Sequence, residues 1–161
     1  MTTELREPRE RVDPRARGMW LVGCLAEGGV TLAILAGAAV AWESFPARWW
    51  LVGAAAVLVL CYAAVVPRWR YLVHRWEVSD TAVYTQTGWW ARERRIAPMS
   101  RIQTVDYAEG ALSRLFGLAT VTVTTASAAG ALRIEGLDAA LAQRLVDDLT
   151  LKADAVEGDA T

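Results

Sequence analysis

The sequence predicts a two-helix transmembrane hairpin followed by a mainly-β sandwich or barrel capped by a C-terminal α-helix. Three observations carry this reading. Two apolar runs, residues 19–42 and 49–66, stand six residues apart. A series of short β-forming segments follows them, and one amphipathic helical pattern comes near the end of the chain. With 161 residues there is room for a single small domain beside the membrane segments. The hydrophobic fraction of 54% and the mean hydropathy of +0.22 are high for a water-soluble protein, because apolar residues concentrate in the two runs.

The first run is 24 residues long with one charge, Glu27, and the second is 18 residues with none. About 20 apolar residues suffice for a helix to cross the hydrocarbon core. The connection, residues 43–48, turns an antiparallel pair but is too short to fold separately. Trp20, Trp42, Trp49 and Trp50 bracket the runs and Trp69 extends the belt, as expected where amphipathic rings sit at headgroup depth. Ala39-Val40-Ala41 looks like a signal-cleavage site, yet the apolar core exceeds the 7–15 residues of a signal sequence and carries an acid. The run is therefore read as a retained helix.

Arginine placement sets the expected orientation. Arg6, Arg9, Arg11, Arg15 and Arg17 precede the first run, Arg68, Arg70 and Arg75 follow the second, and only Arg48 lies between. Eight against one places both termini in the cytoplasm of an inner-membrane, multi-pass protein, with residues 1–18 a basic cytoplasmic segment and 43–48 an external loop. Glu27 lies roughly 12 Å along the helix from Met19 at 1.5 Å per residue. A carboxylate at that depth needs protonation, water or a partner. Tyr62, at similar depth on the returning helix, is the candidate, and a small transport or proton-handling role centred on Glu27 is the alternative. Gly29, Ala33 and Gly37 recur at four-residue spacing, which suits close helix approach.

Residues 67–152 read as the cytoplasmic domain. Segments 71–79, 81–87, 89–97, 101–107, 119–125 and 131–135 are short, rich in β-formers and bounded by turns such as Ser79-Asp80, Gly88 and Pro98. Val121 and Val123 alternate with threonines, as a half-buried strand requires. Residues 126–130 form the turn back into the last segment. Residues 110–117 suit a short helix closed by Gly117. Asp138 can cap a helix over 139–152, where Leu141, Leu145 and Leu149 line one face and Gln143, Arg144, Asp147 and Asp148 the other. Residues 153–161, small and acidic, are read as a disordered tail.

A family resemblance rests on particular residues. Pro98-Met99-Ser100-Arg101-Ile102-Gln103, then Arg114-Leu115-Phe116-Gly117-Leu118-Ala119, then Thr124-Thr125-Ala126 and Ile134-Glu135-Gly136-Leu137 occur in that order. Residues 78–149 resemble the bacterial pleckstrin-homology-like domains of YdbS-like membrane proteins, in which a helix hairpin usually precedes the domain. Ala126-Ser127 departs from the Ala-Gly often found there and implies a different turn. The resemblance implies a pleckstrin-homology-like fold, two packed antiparallel sheets capped by the C-terminal helix. It also implies a longer relative carrying several such domains as a possible partner. Activity does not follow from the fold.

No catalytic pattern stands out. The sequence lacks a glycine-rich phosphate loop, H-E-x-x-H and G-x-S-x-G, and His74 is its one histidine. Cys24 and Cys61 both fall in the apolar runs, so neither a disulfide framework nor a zinc site is expected. No cofactor, metal or enzymatic activity is expected. Trp89, Trp90, Arg92, Arg94, Arg95 and Arg101 form an aromatic and basic cluster. On one strand Trp90, Arg92 and Arg94 share a face that suits anionic headgroups, each near-surface arginine being worth about 1 kcal/mol. The counter-reading pairs these guanidiniums with Glu77, Glu93 and Asp106. Membrane apposition and a pI near 5.9 argue against nucleic acid. The expected function is a non-enzymatic, membrane-anchored module that docks a protein partner or a second copy of itself. Recognition of anionic lipid by the Arg/Trp face is the alternative.

Overall fold

A computed structural model describes residues 7–42, 44–88, 90–126 and 130–158. Two long helices, α1 (Arg15–Ala41) and α2 (Arg48–Val73), form the hairpin. Both are long and apolar enough to cross a membrane, and only 11% of each apolar window is buried within the protein. A core helix of a water-soluble fold would bury most of that window, so the apolar surface here is left for a surrounding medium. The helices approach most closely at Gly28, where a Cβ would meet Val59 at 2.3 Å. The small residues expected to mediate packing are offset by one position: Gly29 and Gly37 have nothing within 4 Å and face outward. Glycine at 28 is what lets Val59 fill the space.

Among the described residues the β domain has seven strands. Sheet one has the order β1-β2-β3-β4, from β1 (Glu10–Arg11), β2 (Arg75–Val78), β3 (Ala82–Thr87) and β4 (Glu93–Pro98). A 3-10 turn, Met99–Arg101, leads into sheet two, ordered β5-β6-β7 from β5 (Ile102–Ala108), β6 (Leu118–Thr125) and β7 (Leu132–Asp138). All pairings are antiparallel. The short helix α3 (Ala111–Leu115) links β5 to β6, and Gly117 closes it at φ +64, a conformation that favours glycine. The last helix, α4 (Ala139–Gly158), packs on β5, β6, β7 and the 3-10 turn. Asp138 caps it as expected: its Oδ1 accepts from the Ala140 and Leu141 amides at 3.1 and 3.2 Å. Val83, Leu118, Val121, Val123, Leu137 and Leu149 are the largest fully buried side chains.

The structure differs from the sequence reading at several boundaries. The strand expected from Tyr71 begins only at Arg75, because α2 continues through Pro67 to Val73 and ends with His74 N–H donating to Arg70 O at 2.8 Å. The strand expected from Trp89 begins at Glu93, so Trp90 and Arg92 precede it and do not share a strand face with Arg94. No glycine or proline interrupts the chain between Ala139 and Gly158, and α4 extends past Lys152 to that glycine. The turn assigned to residues 126–130 lies largely outside the described residues.

The larger difference concerns the N-terminus. Residues 7–18 are part of the domain rather than a separate basic segment. Glu10 and Arg11 pair with Trp76 and Arg75. Asp13 N–H donates to Gly136 O at 2.8 Å, and Arg15 bridges Asp13 at 2.9 Å and Asp138 at 2.6 Å. Val12, Ala16 and Met19 join the core. A two-residue strand is too short to leave a periodic signal.

Candidate functional site

Three regions of chemical interest emerge; the sequence singled out the first, and of the second only Glu27 and Tyr62 at its inner end. In the first, the arginine cluster, most charges are already matched. Arg94 Nη2 lies 3.1 Å from Glu7 Oε1 while its Nε donates to Gln86 Oε1 at 2.9 Å. Arg92 and Arg75 each lie 3.9 Å from Glu7, and Arg95 Nε is 2.6 Å from Glu93 Oε1. Glu7 was not foreseen as a partner, since its approach depends on the N-terminal strand. Arg101 is exposed on the 3-10 turn. Trp90 is 89% exposed and Trp89 lies outside the described residues. The cluster is thus a set of ion pairs that stitches the N-terminus to sheet one, with one projecting tryptophan at its rim.

The second region is the junction of hairpin and sheets. Trp20, expected at the lipid interface, is instead 7% exposed and packed inside the protein. The Arg70 guanidinium lies 4.6 Å over its ring and the His74 ring is 5.1 Å away. Arg70 Nη2 pairs with Glu135 Oε2 at 2.7 Å, and buried Gln86 donates to Val73 O at 3.1 Å. His74 is buried at this junction, its backbone and ring tied to Arg70 O. Burial, then the nearby Arg70 charge, holds its imidazole below the usual histidine range. Beside this network a crevice of about 760 Å³ opens between the hairpin and the outer faces of the strands. Its polar end carries Arg70, Arg95, Arg133, Glu93 and Glu135. Its other end reaches Cys24, Glu27, Tyr62 and Val66, which also line a more apolar crevice of about 590 Å³ between the helices. Glu27 and Tyr62 therefore face common space.

The third region is the outer edge of β5. Among the described residues β5 has β6 on one side and no strand on the other. Alternate residues of an antiparallel edge strand direct N–H and C=O groups away from the sheet. Gln103, Thr104, Asp106 and Ala108 are exposed there, and the pairing shifts between Ile102 and Thr104. The other edges are less open. β1 has two residues. β4 carries Glu93, Arg94 and Arg95 and ends at Pro98, features that resist strand addition. Arg95 Nη1 donates to Ala131 O just before β7, and Asp13 N–H donates to Gly136 O within it.

This architecture of two antiparallel sheets capped by a C-terminal helix agrees with the motif resemblance, and comparison with known proteins decides the family. A model of the bacterial PH domain matches residues 27–153. The chain belongs to that family. It is also 29% identical over 157 residues to the transmembrane protein YdbS of Bacillus subtilis (strain 168), covering 95% of this chain and 98% of that one. No solved structure matches. The protein is thus a membrane-associated bacterial PH-domain protein.

Two parts of the PH domain's surroundings were not legible in advance. The family match begins at residue 27 within α1, and the shared core reaches further back along that helix: Met19 and Trp20, which precede the match, pack with the strands. α3 also packs on α1, with Phe116 3.1 Å from where a Gly18 Cβ would lie and Leu112 3.8 Å from that of Gly23. Leu115 on α3 is left 83% exposed. A glycine in an apolar helix carries no sequence mark of what lies against it, so neither contact was foreseen.

Proposed function

We propose that this PH-domain protein is a non-enzymatic module of the inner membrane that crosses the bilayer twice and docks an extended segment of a protein partner at the cytoplasmic face. The β5 edge carries the reading. Seven residues of strand with outward N–H and C=O groups offer a ladder for an added strand, one of the recurring modes of peptide recognition. Exposed Gln103, Thr104 and Asp106 along that edge supply side chains that discriminate between incoming sequences. The contacts that Arg92 and Arg94 share with Glu7, and the Arg95–Glu93 pair, reduce the charge left for the alternative of anionic-lipid recognition by the Arg/Trp face.

Topology supports the same reading. The β1–β2 ladder and the Arg15–Asp138 pair join residues on either side of the hairpin. Such contacts cannot form across a bilayer, which supports a chain that returns to the side it left. The arginine bias supports reading that side as the cytoplasm.

Amide hydrogen exchange tests the proposal. In native membranes the outward amides of β5 are expected to be protected relative to the purified, monomeric full chain, while those of α4 exchange alike in both. Equal, rapid exchange at β5 in both preparations overturns the docking reading.

A further inference from the structure

We infer that the crevice at the junction of hairpin and sheets is a binding site for the headgroup of a zwitterionic, amine-bearing phospholipid. Its shape supplies the first argument. A volume of about 760 Å³ falls in the range of sites that enclose small molecules. The crevice is also continuous with the space between the helices, since Cys24, Glu27, Tyr62 and Val66 line both openings. A molecule lying along this path meets the outward apolar surface of a membrane span at one end and the polar sheet surface at the other. An amphiphile with an acyl tail and a polar head matches both ends, and the bilayer supplies it at high local concentration.

Charge supplies the second argument and narrows the class. The polar mouth carries Arg70, Arg95 and Arg133 against Glu93 and Glu135, with Glu27 deeper in. Arg70 is held by Glu135 at 2.7 Å and Arg95 by Glu93 at 2.6 Å. Arg133, exposed on β7, has no carboxylate partner among the described residues. A phosphate diester completes Arg133, where guanidinium offers two parallel donors to phosphate oxygens. An ammonium group two carbons further on meets the Glu93 and Glu135 carboxylates, each of which retains acceptor capacity beyond its single arginine contact. With Glu27 the lining carries three carboxylates against three guanidiniums, so a headgroup without net charge leaves that balance intact and one of net negative charge does not. This site is separate from the β5 edge and shares only Glu93 and Arg95 with the arginine cluster.

The test uses the full chain in nanodiscs containing equal parts of phosphatidylethanolamine and phosphatidylglycerol, released into native mass spectrometry. One retained lipid per chain is expected, with the amine-bearing lipid enriched at least five-fold over the anionic one. Arg133→Ala is expected to cut retention at least five-fold with little change in melting temperature, while Arg144→Ala on the exposed face of α4 leaves it unchanged. Should Arg133→Ala unfold, Arg133→Gln, which keeps a donor but loses the charge, reads the same contact. Addition of inorganic phosphate leaves retention unchanged if a lipid occupies the site. Equal retention of both lipids, displacement by phosphate alone, or loss on Arg144→Ala to the same extent as on Arg133→Ala overturns the assignment.

Discussion

Replacing Gly136 with alanine probes whether the N-terminal segment is locked into the PH domain. Gly136 sits at φ +77, and an alanine there costs about 1–2 kcal/mol from backbone strain alone. Its methyl carbon would also stand 2.8 Å from Ala16 Cβ, well inside the ordinary ~3.5–4.0 Å separation of carbon atoms. Ala16 is fully buried and has no free space into which to retreat. Forcing an extra methyl into such a contact costs on the order of 1–3 kcal/mol. Gly136→Ala should therefore destabilise the protein by about 2–5 kcal/mol, a fall of roughly 5–15 °C in melting temperature at this size. Ala16→Gly alone removes one buried methyl and adds glycine flexibility to the first turn of α1, for about 1–2 kcal/mol. The double variant relieves the clash but keeps the strain, so its loss falls short of the sum by about 1–3 kcal/mol. Thermal unfolding of the full chain in mild detergent gives all four corners of the cycle. Trypsin cleavage at Arg9 and Arg11 gives an independent readout, because release of β1 from its ladder with β2 frees their backbone for the protease. Strict additivity, or unchanged cleavage in Gly136→Ala, refutes the packing of α1 on β7.

Other expectations follow from the same contacts. Gly28→Leu should separate the helices and lower the melting temperature by several degrees, whereas Gly29→Leu, which faces outward, should leave it unchanged; thermal scans compare the two directly. Burial and Arg70 depress the proton affinity of His74, so the unfolded chain binds more protons than the folded one as pH falls through the ordinary histidine range near 6.5. Stability should accordingly be level above about pH 7.5 and decline below it, by at most ~1.4 kcal/mol per pH unit, and His74→Gln should flatten the profile. Gln86→Ala breaks the contacts that tie Arg94 to Val73 O and should cost about 1–3 kcal/mol in denaturant titration.

Fold was largely readable because its signals are local. Apolar length, the Arg bias, turn residues at Ser79-Asp80 and Gly117, and the Asp138 cap each act within a few residues, and the structure carries the Ser79 turn, the Gly117 closure and the Asp138 cap in place. What escaped depends on chain segments far apart. Trp20 has the composition of a membrane-belt residue, and only the return of Arg70 and His74 beside it draws it inward. Glu7 reaches the arginine cluster beside a two-residue strand that no periodicity announces. β3 is buried on most of its length, since the helix hairpin covers the outer face that alternation would leave to water. The β5 edge and the junction crevice were invisible for the same reason: an open edge is a property of strand order, and strand order is not written in any one strand.

Photo-crosslinking from the β5 edge tests the proposed docking most directly. A photoreactive residue at Gln103 or Asp106, in the full chain within its native membrane, should yield a crosslink to a second polypeptide, while one at Arg144 on α4 should not. Crosslinks to lipid alone from β5, or equal capture from β5 and α4, would contradict the account.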